Sequence, residues 1–231
     1  MRRFSLLVAG AALVALAFGA STSLFAAQWS DYHWPSTNFD LDVTDNASSD
    51  YNIGDVVSDW NVALPSGGPQ MTINGGADVE IRSKNINANY LGVAEILVDT
   101  ATGHILEGRV TLNHRYLKDG NLYGFDADVR THVACQEVGH ILGLDHQHGN
   151  SCMNDEFSTL GAYTTYNSED AATLNDMYGS GGHVDEGSGT PPPDDGGGNG
   201  GPPCSKNPSH PNCVPQGAVW IAVHKIPVPQ R

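Results

Sequence analysis

Residues 132–154 read HVACQEVGHILGLDHQHGNSCMN, and no other stretch limits the fold as tightly. Ala134, Val138, Ile141 and Leu142 recur at helical spacing and predict a helix with one face in the core. Gln136 and His140 stand four apart and share a different face, with Glu137 beside them. Gly143 can enter the left-handed region and so end the helix. That break is expected to let His146 swing back towards the face carrying His140.

Two imidazoles with a neighbouring carboxylate make a metal site with a general base beside it. Zinc brings a bound water's pKa close to neutrality, and an adjacent carboxylate can shuttle the proton. Residues 136–146 fit the pattern H-E-x-x-H-x-x-G-x-x-H at every fixed position except the first, where Gln136 replaces His. Met153 follows the last His where a Met-turn is expected. On these residues the chain resembles the matrixin branch of the metzincin zinc proteases, whose helix commonly continues as the Gly-Leu-Asp-His seen at 143–146. The likeness extends from about Asp50 to Gly179, closing on an acidic helix that ends in Tyr178-Gly179.

The resemblance implies a mixed α/β domain: a twisted, mostly parallel sheet, an early helix behind it, a metal helix below the cleft and a final helix. It implies a monomeric zinc endopeptidase acting on peptide or protein substrates. His140 and His146 would bind zinc, Glu137 would be the general base, and Met153 would form an apolar floor beneath the metal. Gln136 would serve as third ligand through its amide oxygen, a weaker donor than imidazole. His132, one turn before Gln136, is separated from His140 by about 12 Å of helical rise and is expected to be a surface residue at the helix start. Asp145 is expected to point away from the metal and His148 into solvent. Tyr163 and Tyr166 are expected in the core, although some metzincins place a Tyr near the reacting group. By the same likeness, residues 105–112 would form the edge strand that grips an extended peptide.

The first residues, Met1-Arg2-Arg3 followed by an apolar run over 6–20, read as a secretory leader. The leader is taken as residues 1–27 and the domain as 28–179. Too few residues separate leader from first strand for a propeptide with a zinc-blocking Cys, so zymogen control is expected to be absent. The four Cys fit an oxidising compartment. Of the three pairings that four Cys allow, Cys135–Cys152 with Cys204–Cys213 is favoured, since the resembled fold already brings the metal helix to the Met153 loop. Lys+Arg of 11 against Asp+Glu of 26 gives a net charge of −15, which argues against nucleic acid or anionic membrane as partner. No segment other than the leader is apolar enough to span a bilayer. Calcium is a second candidate cation, with Asp119, Asp126 and Asp128 close in sequence but lacking the spacing of a specific calcium loop.

Residues 31–45 read as an opening strand, in which Phe39, Leu41 and Val43 alternate with polar residues. Ile53, Val56, Val57, Trp60 and Leu64 form one helical stripe, capped by Asp50 or a nearby Ser. Short strands are expected over 71–73, 79–81, 91–98 and 105–112, with a turn at Thr102-Gly103. Ser168-Glu169-Asp170 is expected to cap the last helix, whose Ala171, Leu174, Met177 and Tyr178 face inward. Residues 180–203 are nearly all Gly, Pro, Ser and acidic, a flexible linker by composition. The tail over 204–231 has three readings: a stapled module, a strand docked on the domain, or a disordered end. Two functional classes compete with the enzyme. One is a metzincin-fold pseudo-protease that binds peptide without cutting, and the other is a surface protein attached to the cell envelope by its tail.

Overall fold

The structure is a computed structural model that describes residues 28–35, 40–121, 123–180 and 217–228. Six strands form one sheet: β1 (Asp40–Asn46), β2 (Gln70–Ile73), β3 (Val79–Lys84), β4 (Tyr90–Asp99), β5 (Ile105–Asn113) and β6 (Ala218–Pro227). Their order is β2-β1-β3-β5-β4-β6. The pairs β1/β2, β1/β3 and β3/β5 are parallel, while β4 runs antiparallel to both β5 and β6. The mixed, mostly parallel α/β architecture expected from the sequence is therefore the one observed.

The helices are α1 (Ile53–Ala63), α2 (His114–Leu117), α3 (Ala127–Ile141) and α4 (Ser168–Tyr178). The stripe Ile53, Val56, Val57, Trp60 and Leu64 is buried, and α1 packs on β2 and α3. Trp60 Nε1 donates to the Cys135 carbonyl at 3.0 Å, which fixes α1 on the middle of α3. Neither Asp50 nor a Ser caps α1. Asp50 belongs to a short 3-10 turn, and Asn52, left-handed at φ 51°, makes the joint without a side-chain cap. At α4 the cap sits one residue earlier than expected. Asn167 and Asp170 form a reciprocal capping box, each side chain accepting from the other's backbone N–H.

Two expectations about strands need correction. The first strand is described from Asp40 to Asn46, while residues 28–35 instead cross the end of α3, Trp29 N donating to Gly143 O and Trp34 Nε1 to Ile141 O. Phe39 lies outside the described residues. Residues 105–112 are not at the sheet edge, because β5 lies between β3 and β4. The tight turn at residues 100–104 folds β4 back along β5, which puts β4 outside it, and β6 then covers β4. Of the three readings of the tail, the docked strand is what residues 218–227 adopt. The leader, the Gly/Pro-rich stretch and Cys204 and Cys213 lie outside the described residues. No described helix is long and apolar enough to cross a membrane.

Candidate metal centre

The helix α3 starts at Asp126, whose Oδ1 accepts from the Val129 amide at 3.0 Å. It rests on β4 and β5, and from Val129 onwards every residue but Thr131 is buried. Gly143 ends it as expected, at φ 89°. A side chain there would be strained and would strike the Tyr32 carbonyl. The carbonyls freed at the helix end are satisfied from outside. Trp34 Nε1 donates to Ile141 O at 2.8 Å, and Tyr178 Oη donates to Leu142 O at 2.9 Å.

The turn at Gly143 brings His146 against His140. Their Nε2 atoms are 3.2 Å apart, and the rings meet edge-on with centroids 4.8 Å apart. The opposite nitrogens face oxygens. His140 Nδ1 donates to the Leu144 carbonyl at 2.8 Å, since a carbonyl can only accept. His146 Nδ1 is 3.3 Å from Asp155 Oδ2, which favours a proton on that nitrogen. Neutral rings in these tautomers direct lone pair at lone pair. A positive charge between them, a proton or a metal ion, relieves that contact. Zinc bonds of about 2.0–2.1 Å at a tetrahedral angle separate two nitrogens by about 3.3 Å, close to the observed gap. The oxygens behind both Nδ1 atoms are the outer-shell partners that metal-binding histidines use.

Among the described residues, no three His, Cys, Asp or Glu side chains converge as a cation cluster. A third protein donor from these residues would be of another type. Gln136 meets that description: it is fully buried one turn before His140, and neither its Oε1 nor its Nε2 has a hydrogen-bond partner. A buried amide without partners costs on the order of 1–3 kcal/mol, which a ligand at the oxygen would offset in part. Two imidazoles and an unpartnered amide oxygen are donor types that a borderline ion accepts.

Glu137 points to the sheet side of α3. Its carboxyl is fully buried and makes no hydrogen bond of ordinary geometry. Burial pushes its pKa well above the carboxylate range, and the nearby Ala94 amide opposes this only in part. The carboxyl sits against the β4 backbone at Gly92. A Cβ there would meet Glu137 Oε1 and lie within 2.7 Å of Cγ and 2.8 Å of Cδ, so glycine makes the seat possible.

Met153 lies beneath α3, where a Cβ on Gly139 would collide with its sulfur. The disulfide Cys135–Cys152 is formed, with Cα atoms 5.9 Å apart, and it ties this loop to α3. Behind the loop Asp170 is fully buried and accepts from Gln147 Nε2 at 2.7 Å, from Ser151 Oγ, and from the Asn167 amide at 2.9 Å. Burial raises its pKa, and those three donors pull it back.

The remaining candidates divide. His132 is not at the surface. It is fully buried, its Nε2 3.2 Å from Asn154 O, because the loop after the disulfide folds over the helix at that point. Asp145 accepts from the His146 amide at 2.8 Å, and His148 is exposed near Glu156. Tyr166 packs its ring against Trp60 at 5.7 Å. Asp126 caps α3, and Asp119 pairs with Arg130 at 2.8 Å, so two of the three candidate calcium residues have other partners. Sequence reading missed Asp155, Gly92 and the hub at Asp170. Asp155 lies in a loop with no periodicity to mark it. Gly92 stands inside a largely apolar strand, a signal of close backbone approach.

No protein-family model matches this sequence, and no curated protein matches it.

Proposed function

We propose that the chain is a secreted zinc-dependent endopeptidase of the matrixin-like metzincin kind, with Glu137 as general base. The observation that supports this most is the His140–His146 pair: Nε2 atoms 3.2 Å apart, each ring with an oxygen behind its Nδ1. His140 and His146 would hold the metal, with Gln136 Oε1 as third protein donor. Zinc, when bound, supplies the Lewis acidity that acidifies water and polarises a carbonyl. A Glu137 carboxylate oxygen takes the proton from the attacking water and delivers it to the leaving amine. Burial raises the Glu137 pKa above its ordinary value, which makes its carboxylate a stronger proton acceptor. Met153 and the disulfide loop keep the underside apolar. The leader-like first residues and the disulfide support an oxidising destination.

Gln136 favours a second reading, a protein of the same fold that grips peptide without cutting it, because a neutral amide is a poor zinc ligand. The two separate when zinc content and peptide cleavage are measured on the same purified protein. Stoichiometric zinc with cleavage that Glu137→Ala abolishes, fold intact, supports the enzyme. Cleavage unchanged in Glu137→Ala rejects the mechanism. Peptide retention without turnover, equal in zinc and in chelator, identifies the binding protein.

A further inference from the structure

The last strand reaches the sheet from far along the chain. Residues 179–217 separate α4 from β6, which pairs antiparallel with β4. From Asp99↔Ala218 to Ala94↔Val223 the pairing is one to one. It then shifts register twice, between Ala94 and Val93 and between Val93 and Tyr90. Those shifts fall at the stretch of β4 against which Glu137 is seated. The tail therefore runs beside the candidate site as an extended antiparallel peptide.

The side chains described for the tail are largely exposed or half-buried. Val219 and Ala222 are exposed, and Ala218, Trp220 and Ile221 are only half-buried. The end anchors are Thr100 N and Oγ1 donating to Gly217 O at 3.0 and 2.7 Å, and Val228 N donating to Asn89 O at 3.1 Å. Val228 is the one described tail residue in the core. Trp220 places its ring centre 4.0 Å from the Arg109 guanidinium carbon, and Ile221 packs against the core. β4 itself is different: Leu91, Val93, Ala94, Ile96, Leu97 and Val98 are all buried. Strand addition of this kind draws affinity from backbone bonds and accepts many sequences. A flexible linker gives the strand it carries an effective concentration of at most the order of millimolar, which a free peptide can match.

We propose that the outer edge of β4 is a docking site for an extended peptide, that residues 217–228 of the same chain occupy it by default, and that an incoming peptide displaces them. This deepens the endopeptidase reading by stating how substrate gains the site, and the exchange itself needs no metal.

The test uses the full chain with a site-specific protease sequence placed within residues 186–200. Labelled synthetic peptide 217–228 is the probe, followed by fluorescence anisotropy in chelator. Uncut protein should bind it weakly. Cut protein, after dilution, should bind it roughly tenfold or more tightly, as the tether no longer competes. Trp220→Ala in the uncut chain should also raise binding of the wild-type probe. A cut tail that stays bound through gel filtration at micromolar concentration and leaves only on global unfolding would show β6 to be a permanent strand and overturn the proposal. Exchange in chelator without any cleavage in zinc upholds this inference and sinks the endopeptidase. Cleavage with no exchange does the reverse.

Discussion

A single methyl group at Gly92 should unseat Glu137. The added Cβ would overlap Oε1 and lie 2.7 Å from Cγ and 2.8 Å from Cδ of that side chain. Overpacking of a tight core costs about 1–3 kcal/mol. Replacing Gly with Ala also restricts the unfolded chain, returning about 0.4–1 kcal/mol. Gly92→Ala should therefore lose about 1–2 kcal/mol net in urea denaturation, with m unchanged. Every atom struck lies beyond Cβ of Glu137, so Glu137→Ala removes the collision. The double variant Gly92→Ala, Glu137→Ala should consequently show a coupling of about 1–3 kcal/mol in a double-mutant cycle. In peptide cleavage, Gly92→Ala alone should fall by about 10²–10⁴, the contribution of a positioned base, without loss of zinc. Single-variant effects that add within about 0.5 kcal/mol would refute the seat geometry whatever the activity.

Gln136→His should tighten zinc by at least about tenfold, or 1.4 kcal/mol, in competition with a chelating dye; no gain would mean that Gln136 is not a ligand. Asp170→Asn sets an amide donor against the donors from Ser151, Gln147 and Asn167, and should destabilise by about 1–3 kcal/mol in urea melts. A change below about 0.5 kcal/mol would discount the hub. Burial holds the His132 imidazole below its usual 6.5. Between that lowered value and 6.5 the unfolded chain binds a proton that the folded chain does not, so stability falls as pH drops below about 6.5 and levels beneath the folded value. His132→Gln should flatten that slope in denaturation measured from pH 8 to 5, and an unchanged slope would assign it elsewhere.

Much of the architecture was legible because periodicity reports which face of an element is apolar. The buried stripe of α1, the inward face of α3 and the alternation of Leu41 and Val43 in β1 follow directly from it. The turn that returns His146 to His140 was legible from Gly143, the residue type that a left-handed helix end favours. Periodicity does not report which element becomes a neighbour. The rank of β5 within the sheet and the choice of β4 as the neighbour of β6 depend on long-range pairing; a docked tail strand was among the readings, but neither neighbour was. Caps were placed within two residues because Asp, Asn and Ser cluster before both helices, and local backbone geometry chooses among them. The oxygens behind the two histidines come from Leu144 and Asp155, a backbone group and a loop side chain that no spacing rule marks.

The bridge between Cys135 and Cys152 closes a loop of 17 residues that contains both histidines, and a ring of that size restricts the unfolded chain by about 3 kcal/mol. A thiol-rich cytoplasm would withdraw that contribution at the place where helix and loop must meet. Chains in a reducing space would thus hold the two imidazoles together less firmly than chains in an oxidising one.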